Sequence, residues 1–96
     1  MPQAHRNGDS RVCGAATIVT GQSSVFVNGR LWSVDGDPNS HGDGPLSASV
    51  SSVRIAGKPV IVNAPDSAGP DALCFIVGPP HCSPDTADGS GNVNAG

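Results

Sequence analysis

The sequence predicts a small, loop-rich, all-β domain of three short hairpin-like units with pseudo-three-fold symmetry. Three observations lead there. The chain matches itself at a period of 28 residues, two stretches have the composition of β-hairpins, and helical periodicity is absent throughout. One domain over 1–96 then divides into a first unit at about 4–31, a second at about 32–59 and a degenerate third at about 60–96.

The internal match is carried by specific residues. Gly8-Asp9 falls on Gly36-Asp37, Gly14 on Gly42, Ser23-Ser24-Val25 on Ser51-Ser52-Val53, Gly29 on Gly57 and Arg30 on Lys58. Each unit reads as a Gly-Asp turn, a polar loop, a short alternating strand, a two-residue turn containing Gly, and a second strand. In the first copy, Ser24-Val25-Phe26-Val27 and Arg30-Leu31-Trp32-Ser33-Val34 flank Asn28-Gly29. That dipeptide favours a type I′ turn, because both central residues need positive φ. The second copy has Ala56-Gly57 there and leaves its turn type open. In the third, Ala64-Pro65-Asp66 takes the Gly-Asp place one residue late, and residues 67–90 form a Pro-rich insertion. The closing Ser90-Gly91-Asn92-Val93 resembles the Ser-Ser-Val strand.

Composition sets what must hold such a chain together. Among 96 residues only 36 % are apolar and three are aromatic, while 13 Gly and 9 Pro approach a quarter of the chain. A core this thin calls for a disulfide, a metal or a partner. Five basic against eight acidic residues, every acid an Asp, give a net charge of −3 with no basic stripe, which argues against nucleic acid. Apolar runs such as Val60-Ile61-Val62 are too short to span a bilayer, and the first residues do not resemble a signal peptide. The expected site of synthesis is therefore the cytoplasm. Three cysteines, an odd number, argue against a pure disulfide framework and bring metal ligation into competition.

The repeat places chemistry in register. Gly8-Asp9-Ser10-Arg11-Val12-Cys13-Gly14 overlays Gly36-Asp37-Pro38-Asn39-Ser40-His41-Gly42, so Cys13 and His41 occupy one equivalent slot. Cysteine and histidine share metal ligation above all else, and here burial cannot explain them. The third unit offers Cys74, His81 and Cys82. Adjacent His81 and Cys82 point apart in an extended chain, which favours Cys74 and His81 as the remaining ligands, with Cys82 as substitute for Cys74. A Cys74–Cys82 disulfide is the competing arrangement. Two thiolates and two imidazoles suit one closed structural zinc ion, with iron as the competitor. His5, whose repeat equivalent is Ser33, reads as structural or solvated, and Asp9 and Asp37 read as acids bonding their own turns. No nucleophile elbow is present, and Asp85–Gly91 lacks the glutamate of a calcium loop.

These residues together resemble the PAAR-repeat family, the metal-stabilised caps on the spikes of contractile injection machines. Asn28-Gly29-Arg30 and Ala56-Gly57-Lys58 match its strand end, Gly8-Asp9 and Gly36-Asp37 its turn, and Cys13 and His41 its ligand slot. The family's tetrapeptide is poorly kept: Gln3-Ala4-His5-Arg6 retains Ala and Arg, and Pro59-Val60-Ile61-Val62 only the Pro. This divergence favours the phage-type tail tip over the secretion-system type. The resemblance implies a short cone pinned by one ion at Cys13, His41, Cys74 and His81. Its base would cap a trimeric β-helical spike, and its apex would meet the bacterial envelope. Val25, Val27, Val53 and Ile55 are candidates for the buried seam with that spike, or else for the domain's own interior.

Three functions are thereby set against one another. The first is a non-enzymatic, membrane-piercing spike tip in the virion baseplate, or one delivered by type VI secretion without a signal peptide, with no nucleic acid and no small-molecule substrate as partner. The second is a free-standing metal-stabilised module that docks another β-structured protein. The third, a small metalloenzyme, needs an open coordination position and a general base, and the chain contains no Glu.

Overall fold

A computed structural model describes residues 3–77, 81–91, 93 and 94. Gly78-Pro79-Pro80 of the expected ligand segment and Asn92, Ala95 and Gly96 of the expected last strand lie outside the described residues.

The hairpin dipeptides fold as their chemistry dictates. Strand β2 (Phe26–Val27) pairs antiparallel with β3 (Arg30–Leu31), and β4 (Arg54–Ile55) with β5 (Lys58–Pro59). At the first turn φ is 53° for Asn28 and 80° for Gly29; at the second it is 53° for Ala56 and 81° for Gly57. Both are left-handed pairs, so the turn left open by the sequence has the geometry of the first. Alanine holds it at a cost of about 1–2 kcal/mol. The remaining pair joins β1 (Gln3–Ala4) to β6 (Val62–Asn63), and the chain end adds a bridge from Asn94 to Gln3. One four-residue helix, α1 (Cys74–Val77), departs from the all-strand expectation; it sits inside the Pro-rich insertion. The described residues contain no helix long and apolar enough to cross a membrane.

Between the hairpins runs a closed ring of backbone hydrogen bonds. The His5 amide donates to the Ile61 carbonyl (3.1 Å), the Ile61 amide to Ser33 (2.8 Å), and the Ser33 amide back to His5 (2.9 Å). One residue earlier in each strand, Ala4, Trp32 and Val60 donate to the carbonyls of Val93, Val25 and Val53. Further along, Ile18 donates to Pro38, Ser47 to Ser67, and Ala87 to Ser10. Twenty-nine positions separate Ile18 from Ser47, and forty separate Ser47 from Ala87. The extra length falls where Asp71–Cys82 forms its own loop.

Around the ring, Ala4, Val27, Trp32, Val34, Ile55, Val60 and Val62 form the apolar core. This corrects part of the expected seam: Val27 and Ile55 are buried, Val53 packs against the same cluster, and Val25 alone of the four is exposed. The strands are two residues long, so their inward side chains are spent on the domain itself. Three acids finish the turns. Asp9, Asp37 and Asp66, all buried, accept from the backbone amides of Arg6, Val34 and Val62 at 2.8 to 2.9 Å, the backbone role expected for Asp9 and Asp37.

His5 is structural. It is fully buried, with Nδ1 2.8 Å from the Asp88 carbonyl and Nε2 2.6 Å from the Thr17 hydroxyl. A carbonyl only accepts, which places the proton on Nδ1 and makes Nε2 the acceptor. Burial lowers the imidazole below its ordinary value of 6.5, against the opposing pull of the Asp88 carbonyl and Asp9. Between the lowered folded value and 6.5 the unfolded chain binds the proton and the folded chain does not, so stability is full above 6.5 and is lost as pH falls below it. His5→Gln should therefore flatten the dependence of melting temperature on pH between 7 and 5. An unchanged slope would show that His5 does not titrate on unfolding.

Candidate metal centre

Four side chains from three separate stretches of the sequence converge at one point: Cys13, His41, Asp71 and His81. One ligand atom from each lies within 4.8 Å of every other, and together they could hold a metal ion. The Gly-Asp turns present the first two. In the second turn the Asn39 side-chain oxygen accepts from the His41 amide (3.0 Å), which fixes the backbone from which the imidazole departs. Asp71 comes from the insertion and is bridged to Asp43. The His81 carbonyl accepts from the Asp71 amide at 2.8 Å, tying both ends of that loop together.

Asp71 is the hub of the cluster. Its Oδ2 lies 3.3 Å from His41 Nδ1, 3.1 Å from His81 Nδ1 and 3.8 Å from Cys13 Sγ. Asn39 donates to the same oxygen at 3.1 Å, and the Leu73 amide donates to Oδ1 at 2.8 Å. Burial alone would push the carboxyl up. The bonds from His81, Leu73, Asn39 and His41 outweigh it and hold Asp71 at about 2, ionised in the folded protein.

Three of the expected ligands, Cys13, His41 and His81, are brought together here. The fourth is not. Cys74 is joined to Cys82 in a disulfide with Cα atoms 4.6 Å apart, so neither sulfur is a thiolate and Cys82 cannot substitute for it. A carboxylate stands in the place assigned to a second thiolate. The sequence held a cue: Cys13 and His41 each follow the Asp of their turn by four residues, and Asp71 follows Asp66 by five.

The donors fit a divalent ion in chemistry as well as position. One thiolate and one carboxylate carry two negative charges, and two imidazoles bind neutral, so a dication is balanced without further ligands. A tetrahedral zinc with bonds of about 2.0–2.3 Å separates its ligand atoms by roughly 3.3–3.8 Å. The contacts to Asp71 Oδ2 already fall near that range. Asn39 and the Leu73 amide supply the outer hydrogen bonds that orient a ligating carboxylate.

Arg11 is a residue that the sequence did not reveal as buried. Arg11 is 2 % exposed, and its guanidinium reaches four acceptors: the Thr17 hydroxyl (2.7 Å) and the carbonyls of Gly44 (2.7 Å), Pro84 (3.1 Å) and Asp37 (3.1 Å). Burial lowers it to about 10, with Cys13, Asp37, Asp71 and Asp85 pulling the other way. It therefore stays charged at neutral pH, a fixed positive charge that interacts with Cys13 and Asp71.

Compared with known proteins, the chain has no matching family model, no matching curated protein and no matching solved structure.

Proposed function

We propose that this chain is a non-enzymatic, metal-pinned tip that caps a trimeric β-helical spike in a contractile injection machine. In this reading three units surround a pseudo-three-fold axis, the third enlarged by the Asp71–Cys82 loop. The observation that carries it is the closed ring of amide bonds among His5, Ser33 and Ile61, residues spaced by 28. A single chain with three similar edges is what a three-fold partner requires of a monomeric cap.

The ion is a structural zinc, held by Cys13, His41, Asp71 and His81, with iron as its competitor. Four protein donors complete a tetrahedron and leave no position for a reacting water, which supports a structural over a catalytic metal. In a chain with so small a core, the energy of binding it is folding energy. On the first hairpin, the exposed Val25 and Phe26 are apolar residues free to meet a spike edge. On this reading the protein resides at the tail tip of a virion, or is delivered by a type VI system, and meets the bacterial envelope transiently.

Mixing the purified chain with a trimeric β-helical spike fragment tests the proposal. One chain per three spike subunits, measured by light scattering on the co-purified complex, is the expected result. A stable monomer indifferent to such spikes would instead favour a free-standing metal-stabilised module with another β-structured partner.

A further inference from the structure

The segment between Asp71 and Cys82 carries two of the four donors, and its described side chains supply little apolar burial. Its largest described side chains stand in water, Phe75 at 95 % and Ile76 at 78 % exposure. Its helix has four residues, too few to persist by local propensity. Among the described residues, bonds at its mouth help to fix it: Ala72 to the Gly42 carbonyl (2.9 Å), Asp71 to the His81 carbonyl (2.8 Å), Cys74 to the Asp71 carbonyl (3.1 Å), and the Cys74–Cys82 disulfide. Cys82 follows His81 directly, and Cys74 lies three residues after Asp71. The covalent bridge therefore clamps the neighbours of both donors.

We infer that the disulfide and the metal close the same loop and stabilise each other, so that the redox state of Cys74 and Cys82 sets the affinity of the metal centre. The inference rests on the metal centre proposed above. Closing a loop of about ten residues removes enough chain entropy to change an equilibrium about tenfold to a hundredfold. With the disulfide formed, that ordering is already in place when the ion arrives; with it reduced, the ion must order Asp71 and His81 against each other. Linkage makes the effect reciprocal, and a bound ion protects the disulfide from reduction by the same factor. Glutathione shows the balance of the step: the protein S–S bond breaks, both sulfurs become thiols, and two glutathione thiols give up their hydrogens and electrons and join as glutathione disulfide.

The test uses the full chain and zinc. Competition against a chelator compares the oxidised protein with Cys74→Ser/Cys82→Ser, which can neither bridge nor offer a thiolate from these positions. The double variant should bind zinc about tenfold to a hundredfold more weakly. In parallel, the equilibrium between oxidised and reduced forms of the unmodified protein in a glutathione buffer should shift toward the disulfide by a similar factor when zinc is bound, a readout that survives if the variant does not fold. Zinc affinities within about twofold of each other, or a reduction equilibrium indifferent to zinc, would overturn the coupling while leaving the metal centre intact. Tighter binding by the reduced protein would overturn it too, by showing that Cys74 or Cys82 replaces a donor. Failure of the oxidised protein to bind zinc at all would overturn the metal centre, and the coupling with it.

Discussion

Replacing Arg11 with methionine should lower the melting temperature by about 12–40 °C, the largest loss expected from one substitution away from the candidate metal donors. The reasoning starts from what methionine leaves behind. It fills much of the same volume, but the carbonyls of Gly44 and Pro84 lose their donor inside a closed interior, while the Asp37 carbonyl keeps only the Leu46 amide and the Thr17 hydroxyl only its bond to His5. Each buried acceptor left unpaired costs about 1–3 kcal/mol. Even with partial relaxation the sum reaches about 3–5 kcal/mol, a large share of the roughly 5–15 kcal/mol that stabilises a domain. Arg11→Lys should recover only part of it, because one ammonium cannot span acceptors arranged for a planar fork. Thermal unfolding of the three proteins, followed by circular dichroism at saturating zinc, gives the order. Equal melting temperatures for the methionine variant and the parent would mean that the guanidinium is dispensable.

Asp71→Asn should weaken zinc binding by more than about a hundredfold, beyond the tenfold to hundredfold typical of a lost outer hydrogen-bond partner. The asparagine oxygen still accepts from the Leu73 amide, so the loop retains its shape. What goes is the charge that makes the side chain a ligand and offsets the dication. Each hundredfold of affinity corresponds to about 2.7 kcal/mol of stability at zinc concentrations where the parent is loaded. The melting temperatures of parent and variant should then differ by about 10–20 °C with zinc and draw together in a chelator. If instead the variant binds as tightly as the parent, the fourth ligand is not Asp71.

Local chemistry made the hairpins and three of the four donors of the candidate metal centre legible in the sequence. Asn28-Gly29 needs two positive φ angles, and such a requirement is written in two adjacent residues. The period of 28 set Cys13 against His41, two positions that do converge. The same spacing appears in the amides of Ala4, Trp32 and Val60. Asp71 was hidden because the insertion breaks the register there, and an aspartate after Gly-Pro reads first as a turn residue. Cys74 and Cys82 were readable as a disulfide or as ligands, and eight residues of separation alone do not choose between them. Arg11 was invisible for a different reason. In Ser10-Arg11-Val12-Cys13 it has the context of a solvated charge, and its acceptors Gly44, Asp37 and Pro84 lie 26 to 73 positions away. Nor could composition decide whether Val27 and Ile55 face a partner or the interior, since an apolar residue in a two-residue strand suits either.

Cobalt substitution tests the central claim, a closed four-donor centre with a single thiolate, most directly. The account predicts uptake of one cobalt per chain, with intense visible bands of a tetrahedral ion and a sulfur charge-transfer band of one-thiolate intensity that disappears in Cys13→Ser. A weak octahedral spectrum, a two-thiolate intensity, or a protein that takes up no cobalt while its Cys13 thiol remains free would contradict it.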